Sequence, residues 1–142
     1  MLIKEGSVGR KLMGRFEHGA DLLQALEELV EKEGIKAGAL SLIGAVQEAK
    51  VAFFDQVTKE YKTIEFPESM EILSCSGNIS LKDGKPFAHV HIILGDKEGR
   101  VWGGHLLPGT RVFAAEFVVE ELAGIELERE YDATTSLSLW QK

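Results

Sequence analysis

The sequence predicts an α+β fold, in which a largely antiparallel β-sheet is covered by one main helix. One early segment, residues 21–33, carries a wide apolar stripe at helical spacing. Most later apolar segments are short, alternate with polar residues and end at turn signals such as Asp83-Gly84 and Pro108-Gly109. Strands joined by such short turns pair antiparallel, because parallel neighbours need a long crossover connection.

Composition sets the broad class of the protein. A chain of 142 residues that is 44% hydrophobic is expected to form a single domain, 1–142, with its own core. The one cysteine, Cys75, cannot form an intrachain disulfide, which favours a reducing compartment. No segment approaches the roughly 18 apolar residues of a membrane span, and residues 1–11 lack the pattern of a signal peptide. We therefore expect a cytoplasmic protein with no membrane partner.

The first elements are a strand and the helix. Residues 8–16 have no helical period and predict an opening strand. Asp21 is a favourable N-cap, and Gln24 three residues later resembles a capping box. Gly34 occupies the position that commonly ends a helix. The helix is therefore expected over about 21–33.

The central part of the chain predicts strands throughout. Residues 35–46 predict a strand rich in small residues, and residues 48–55 predict the next one. Residues 61–66 alternate and are expected to pair back as a hairpin. A long strand follows at 70–81. Near the end, residues 111–122 have strand-like composition with a helix as the open alternative, and two further strands are predicted at 125–131 and 137–140.

Between these elements, residues 87–94 and 100–107 predict a hairpin that carries three of the four histidines. The connecting residues, Asp96-Lys97-Glu98-Gly99, have the signature of a type I turn closed by a left-handed glycine. In that register Asp96 pairs with Arg100, so His91 falls opposite His105. His89 lies two residues from His91 and shares its face. Three imidazoles are therefore expected to meet on one face of the sheet.

Such a cluster predicts a divalent metal site, with zinc as the first choice. Zinc is often held by three histidine nitrogens, with an open fourth position for water or substrate. Gly103 and Gly104 precede His105, and their lack of side chains would leave room for an exchangeable ligand, so they are candidate binding residues. The alternative is a structural cluster whose imidazoles bond to backbone groups or to another subunit.

These segments resemble a known family, the plants-and-prokaryotes conserved domain (PPC). The likeness is carried by RFEHGADLLQALEELVEKEGIKAGALSLIGAV and by MEILSCSGNISLKDGKPFAHVHIILGDKEGRVWGGHL. The second segment follows the family pattern of H-x-H, then G-D-x-x-G, then G-G-H-L. The resemblance covers about residues 8–122 and identifies the chain as a stand-alone prokaryotic type.

The resemblance implies an α+β domain that assembles as a homotrimer. It also implies the description of a DNA-binding protein, which comes from plant members in which an AT-hook supplies the minor-groove contacts. This sequence has no basic R-G-R-P-like core, and its net charge of −7 opposes attraction to phosphate, so DNA binding is not expected. The histidine hairpin further resembles the zinc site of acetolactate decarboxylase, which implies a related fold.

Two functions remain open at this point. The first is a non-enzymatic trimeric module that binds a metal or small ligand. The second is a zinc-dependent enzyme acting on a small carbonyl or carboxylate compound, with Arg15 as the candidate cation and Glu71 as the candidate acid or base. A cupin-like arrangement fits poorly, because Glu98 lies in the turn itself.

Overall fold

The computed structural model describes residues 1–141 and contains one α-helix and nine β-strands in that range. In chain order they are β1 (Ser7–Phe16), α1 (Leu22–Lys32), β2 (Gly38–Asp55), β3 (Glu60–Phe66), β4 (Met70–Lys82), β5 (Lys85–Gly95), β6 (Val101–Leu106), β7 (Arg111–Ala123), β8 (Glu128–Asp132) and β9 (Leu137–Trp140). Among these strands every ladder is antiparallel except the short one between β4 and β8. The predicted α+β class is confirmed.

All the strands belong to one sheet, in which four of them close into a ring. The first half of β2 pairs with β4, β4 pairs with β5, β5 pairs with β6, and β6 returns to the second half of β2. β7 and β1 extend the sheet beyond β2, and β3 pairs with the end of β2. Because β6 is paired along both of its edges, the histidine hairpin is held from two sides.

The helix covers the face of β5 opposite the histidines. The side chain of Asp21 accepts a hydrogen bond from the backbone N–H of Gln24 at 3.2 Å, as the capping pattern predicted. Leu22, Leu26 and Val30 are fully buried. Burying each of these side chains stabilises the fold by about 1.5–3 kcal/mol. Ala88, Val90, Ile92 and Leu94 form the facing row of β5, and α1 packs against this strand.

The prediction of two strands at 35–46 and 48–55 is wrong, because β2 runs unbroken from Gly38 to Asp55. The predicted break between residues 46 and 48 instead marks a change of pairing partners. The first half of β2 pairs with β4 and β7, and the second half pairs with β3 and β6. Pairing with β7 is irregular around Val46. Gly44, at φ 145°, approaches Ala114 so closely that a Cβ atom would lie 2.1 Å from its carbonyl oxygen.

The last part of the chain is β-structure. Residues 111–122 form a strand rather than the alternative helix, with Val112, Ala115, Phe117 and Val119 buried. β8 then lies parallel to the end of β4, where Leu81 pairs with Glu128. The hairpin of β8 and β9 is thereby placed beside the histidine-bearing strands.

Within residues 1–141, none of the helical structure is long and apolar enough to span a membrane.

Candidate metal centre

The turn at Asp96–Gly99 forms as the sequence predicted. The backbone N–H of Gly99 donates to the carbonyl oxygen of Asp96 at 3.0 Å, and Gly99 has φ 79°. The N–H of Asp96 donates to the carbonyl oxygen of Arg100 at 3.0 Å. This register makes His91 and His105 direct cross-strand partners.

The structure brings His89, His91 and His105 together on one face of the sheet. Their ring centroids are 5.1 to 5.5 Å apart, and one nitrogen from each ring lies within 4.8 Å of the others. Tetrahedral zinc with nitrogens at about 2.0–2.1 Å would require nitrogen–nitrogen separations of about 3.3 Å. Small side-chain rotations would close that difference.

One atom of the cluster lacks a hydrogen-bond partner. Nδ1 of His105 is buried, and no group within residues 1–141 bonds to it. A buried polar atom without a partner costs about 1–3 kcal/mol, so its presence calls for an explanation. Among the alternatives left by the sequence, imidazoles fully bonded to backbone groups do not account for this atom. A bound ion, or a group of another subunit, would supply the missing partner.

The electrostatics of the cluster favour neutral imidazoles. Burial, with smaller contributions from Arg129, His105 and His91, lowers the pKa of His89 from its ordinary value of 6.5 to about 4. Burial is also the first cause of a lowered pKa at His105, followed by His91 and Arg129. At neutral pH these two rings carry a free lone pair, which is the form that binds a metal.

The glycines before His105 serve close packing of strands. A Cβ atom on Gly104 would lie 2.8 Å from the carbonyl oxygen of Ala52 on β2, and one on Gly103 would lie 2.7 Å from that of Ile92 on β5. Only glycine lets β6 approach both neighbours, and this approach fixes the position of His105.

A cavity of about 310 Å³ opens beside the histidines. His89, His105, Arg129 and Lys82 are among the residues that line it. The remaining walls are mostly apolar or carry hydroxyl groups: Tyr61, Phe87, Leu107, Ser136, Leu137, Ser138 and Leu139. The cluster therefore faces a concave space of the size that small ligands occupy.

Neither of the two further candidates from the sequence lies at this cavity. Arg15, on β1, pairs with Glu116 on β7, across the sheet from β5. Glu71 lies on β4 beside β5, as expected, but pairs with Gly95, whereas Asn78 is the residue opposite His89. The structure therefore does not bring Arg15 or Glu71 to the histidines.

Sequence reasoning missed Arg129, which lies next to them. Its guanidinium donates to Asn78 and Ser80, which stand opposite His89 and Phe87 across the β4–β5 ladder. The contact depends on the parallel pairing of β4 with β8, residues that are about 50 positions apart. Its one local signal was an arginine within a strand-like segment, which does not identify a site.

Comparisons with known proteins support this picture. The profile of the Plants and Prokaryotes Conserved (PCC) domain matches residues 3–123. The fold matches that of a metal-containing protein from Archaeoglobus fulgidus with a TM-score of 0.95, 45% identity and all of both chains covered. A plant- and prokaryote-conserved protein from Pyrococcus horikoshii matches with a TM-score of 0.93 and 39% identity, over 100% of this chain and 98% of that one.

Other relatives carry different descriptions. A proposed DNA-binding protein from Bacteroides thetaiotaomicron matches with a TM-score of 0.86 and 30% identity, over 97% of this chain and 98% of that one. The bifunctional protein GlmU from Synechococcus sp. (strain JA-3-3Ab) is 35% identical over 85% of this chain, which spans only 18% of that relative's length. The profile match over residues 3–123 and the structures from Archaeoglobus fulgidus and Pyrococcus horikoshii agree with each other. The chain belongs to the Plants and Prokaryotes Conserved (PCC) domain family.

Proposed function

We propose that the protein is a metal-binding module in which His89, His91 and His105 hold one divalent ion, zinc in the first instance. The observation that carries the proposal is the convergence of three ring nitrogens, one from each histidine, within 4.8 Å. The buried Nδ1 of His105, which has no partner in residues 1–141, adds to it. The metal-containing relative from Archaeoglobus fulgidus supports it. A zinc ion held by three histidines keeps an open position, where it can polarise a bound oxygen.

Elemental analysis of purified protein tests this proposal. We expect close to one equivalent of metal in the wild type and in His18→Ala, and almost none in His91→Ala. His18 is the matched control, because its Nδ1 lies 2.9 Å from the carbonyl oxygen of Phe113, outside the cluster. Equal metal contents in His91→Ala and the wild type would rule the site out, and the analysis also identifies the ion.

Binding is the function that the site supports better than catalysis. Glu71, the candidate acid or base, and Arg15, the candidate cation, are not among the described residues that line the cavity, so the arrangement expected for an enzyme is not assembled there. The proposal therefore places the metal and a ligand in the site, without a reaction.

We further propose that the protein assembles with copies of itself as a homotrimer. Exposed apolar side chains support this, since large exposed patches mark interfaces. Ile43 is 59% exposed and lies between Met13 and Leu73, which are 82% and 51% exposed and share its two surface hollows. Light scattering should give three times the chain mass for the wild type. Ile43→Asp should dissociate the assembly, whereas Val57→Asp, in an exposed turn, should not.

A further inference from the structure

The cavity beside the histidines is positively charged in an otherwise acidic protein. The net charge is −7, from 16 basic and 23 acidic residues. Two cations, Lys82 and Arg129, nevertheless line the cavity, and the described residues contribute no acidic side chain to it. Nor does any carboxylate of residues 1–141 form an ion pair with either cation. A buried or partly buried charge without a counter-ion is costly, which points to a negative charge supplied from outside.

Arg129 is fixed in place by neutral groups. It is 8% exposed, and it donates to Oγ of Ser80 at 2.7 Å, Oδ1 of Asn78 at 2.8 Å and the carbonyl oxygen of Ser138 at 3.0 Å. These bonds use three of the five N–H groups of a guanidinium, so two remain. These neutral acceptors orient the guanidinium group of Arg129, but they do not compensate its positive charge.

Aromatic rings hold the same group from two sides. The guanidinium carbon lies 5.6 Å from the ring centroid of Phe87 and 5.3 Å from that of Trp140. Such stacking supports a desolvated cation and prevents it from turning toward solvent. Lys82 also lies near Phe87, with its Nζ 5.4 Å from the ring centroid. Arg129 is therefore preorganised to receive an anion.

We propose that this cavity binds a small organic acid, whose carboxylate pairs with Arg129 while an oxygen on the adjacent carbon faces the histidines. The inference rests on the proposed metal site for that second contact, whereas the contact with Arg129 is independent of it. A cavity of about 310 Å³ admits only a small molecule. Phe87, Leu137 and Leu139 supply apolar walls for a short carbon chain. A carboxylic acid with a second oxygen at its 2-position provides both contacts, since Arg129 lies beside the histidines.

Calorimetry with three organic probes of similar size, and with inorganic phosphate, tests the inference. In the metal-loaded wild type, 2-hydroxybutanoate should bind most tightly, and 2-hydroxybutanamide, which lacks the charge, should bind at least about tenfold more weakly, since hydrogen bonds to charged groups contribute about 1.5–3 kcal/mol. Butanoate, which lacks the second oxygen, should fall between them. Inorganic phosphate should bind more weakly than 2-hydroxybutanoate, because it leaves the apolar walls uncovered.

Variants separate the two parts of the inference. Arg129→Gln should lose the preference for acid over amide and keep the metal, and Arg129→Lys should recover part of the preference. His91→Ala should lose the metal and the preference for 2-hydroxybutanoate over butanoate, yet keep the preference for acid over amide. A failed metal site would thus leave the Arg129 result intact.

Two outcomes would overturn the inference. One is equal affinity of the wild type for the acid and the amide, a measurement that needs no variant to fold. The other is tighter binding of inorganic phosphate than of any organic acid, which would assign the cavity to a phosphate group instead.

Discussion

The carboxylate of Asp96 accepts a hydrogen bond from the indole Nε1 of Trp102 at 3.0 Å, across the turn that reverses the histidine hairpin. The same carboxylate accepts bonds from the backbone N–H groups of Glu98 and Arg100 and from Nε of Arg100. The bond from Trp102, followed by those from Arg100, lowers the pKa of Asp96 to about 2. One side chain therefore fixes both the turn and the start of β6, and so the register that opposes His91 to His105.

Asp96→Asn should weaken the hairpin and the metal site together. An amide presents one acceptor oxygen instead of two, and it removes the charge that pairs with Arg100. We expect a lower melting temperature and weaker zinc binding than in Glu98→Gln, which changes an exposed carboxylate that pairs with Arg100 and Lys97. Because the pKa of Asp96 is depressed from 3.8, its contribution is complete above about pH 4 and is lost as the pH falls toward 2. Equal zinc affinities in the two variants would contradict this role for the turn.

His105→Leu should separate stability from metal binding. The substitution removes the buried Nδ1 that has no partner in the described part of the chain. The metal-free variant should therefore be as stable as the metal-free wild type, or more stable by about 1 kcal/mol. Zinc at 100 times its dissociation constant should raise wild-type stability by about 2.7 kcal/mol and leave the variant unchanged. Thermal melts with and without zinc measure both effects, and a zinc-induced shift in the variant would argue against His105 as a ligand.

The metal-free protein should lose stability as the solution becomes mildly acidic. The pKa of His89 falls from 6.5 to about 4 on folding, so between these values the unfolded chain holds a proton that the folded chain does not. Stability therefore decreases as the pH falls from about 6.5 toward 4. Urea unfolding in the presence of a chelator should show this decrease in the wild type and a smaller one in His89→Gln. Identical pH slopes would mean that His89 titrates normally in the folded protein.

Gly104→Ala should disturb the histidines through the backbone. The added Cβ would lie 2.8 Å from the carbonyl oxygen of Ala52, so β6 must move away from β2. Overpacking of this kind costs about 1–3 kcal/mol, and displacement of His105 should weaken zinc binding. Gly34→Ala is the control, because it meets no atom within 4 Å and costs only backbone strain at φ 66°. Zinc affinity should fall in the first variant alone; a wild-type affinity there would show that the site tolerates movement of β6.

DNA should not be retained by this chain at physiological salt. Its net charge of −7 repels phosphate groups, and the two cations of the cavity lie within a space suited to a small ligand. A gel-shift assay on an A·T-rich duplex at about 0.15 M salt tests this directly. A complex that persists at that salt concentration would favour the description given to the Bacteroides relative.

The parts of the site that the sequence predicted depend on local signals. The turn residues Asp96 and Gly99 set the hairpin register, and strand alternation then places His89 beside His91. Capping at Asp21 and the glycine at Gly34 likewise locate the helix within one residue at each end. These interactions join residues that are close in sequence, so short segments of the sequence are enough to predict them.

The parts that it missed depend on contacts between distant segments. β2 continues as one strand although its two halves pair with different partners. These partners lie far away in the sequence, so the residues of β2 alone do not reveal the continuous strand. Arg129 reaches the cavity only because β8 lies parallel to β4. The sequence instead favoured Arg15, which lies on the early strand within the segment that resembles the family.

Arg129 also lies beyond residues 3–123, the part that the domain profile matches. The histidines lie within the matched part of the chain, whereas Arg129, Leu137, Ser138 and Leu139 of the cavity lining come from the terminal hairpin of β8 and β9. If the proposed metal and ligand sites hold, grafting a different hairpin onto the same scaffold should change the ligand preference and leave metal binding intact. Family members that agree in their histidines should therefore be sorted by their last twenty or so residues when their ligands are compared.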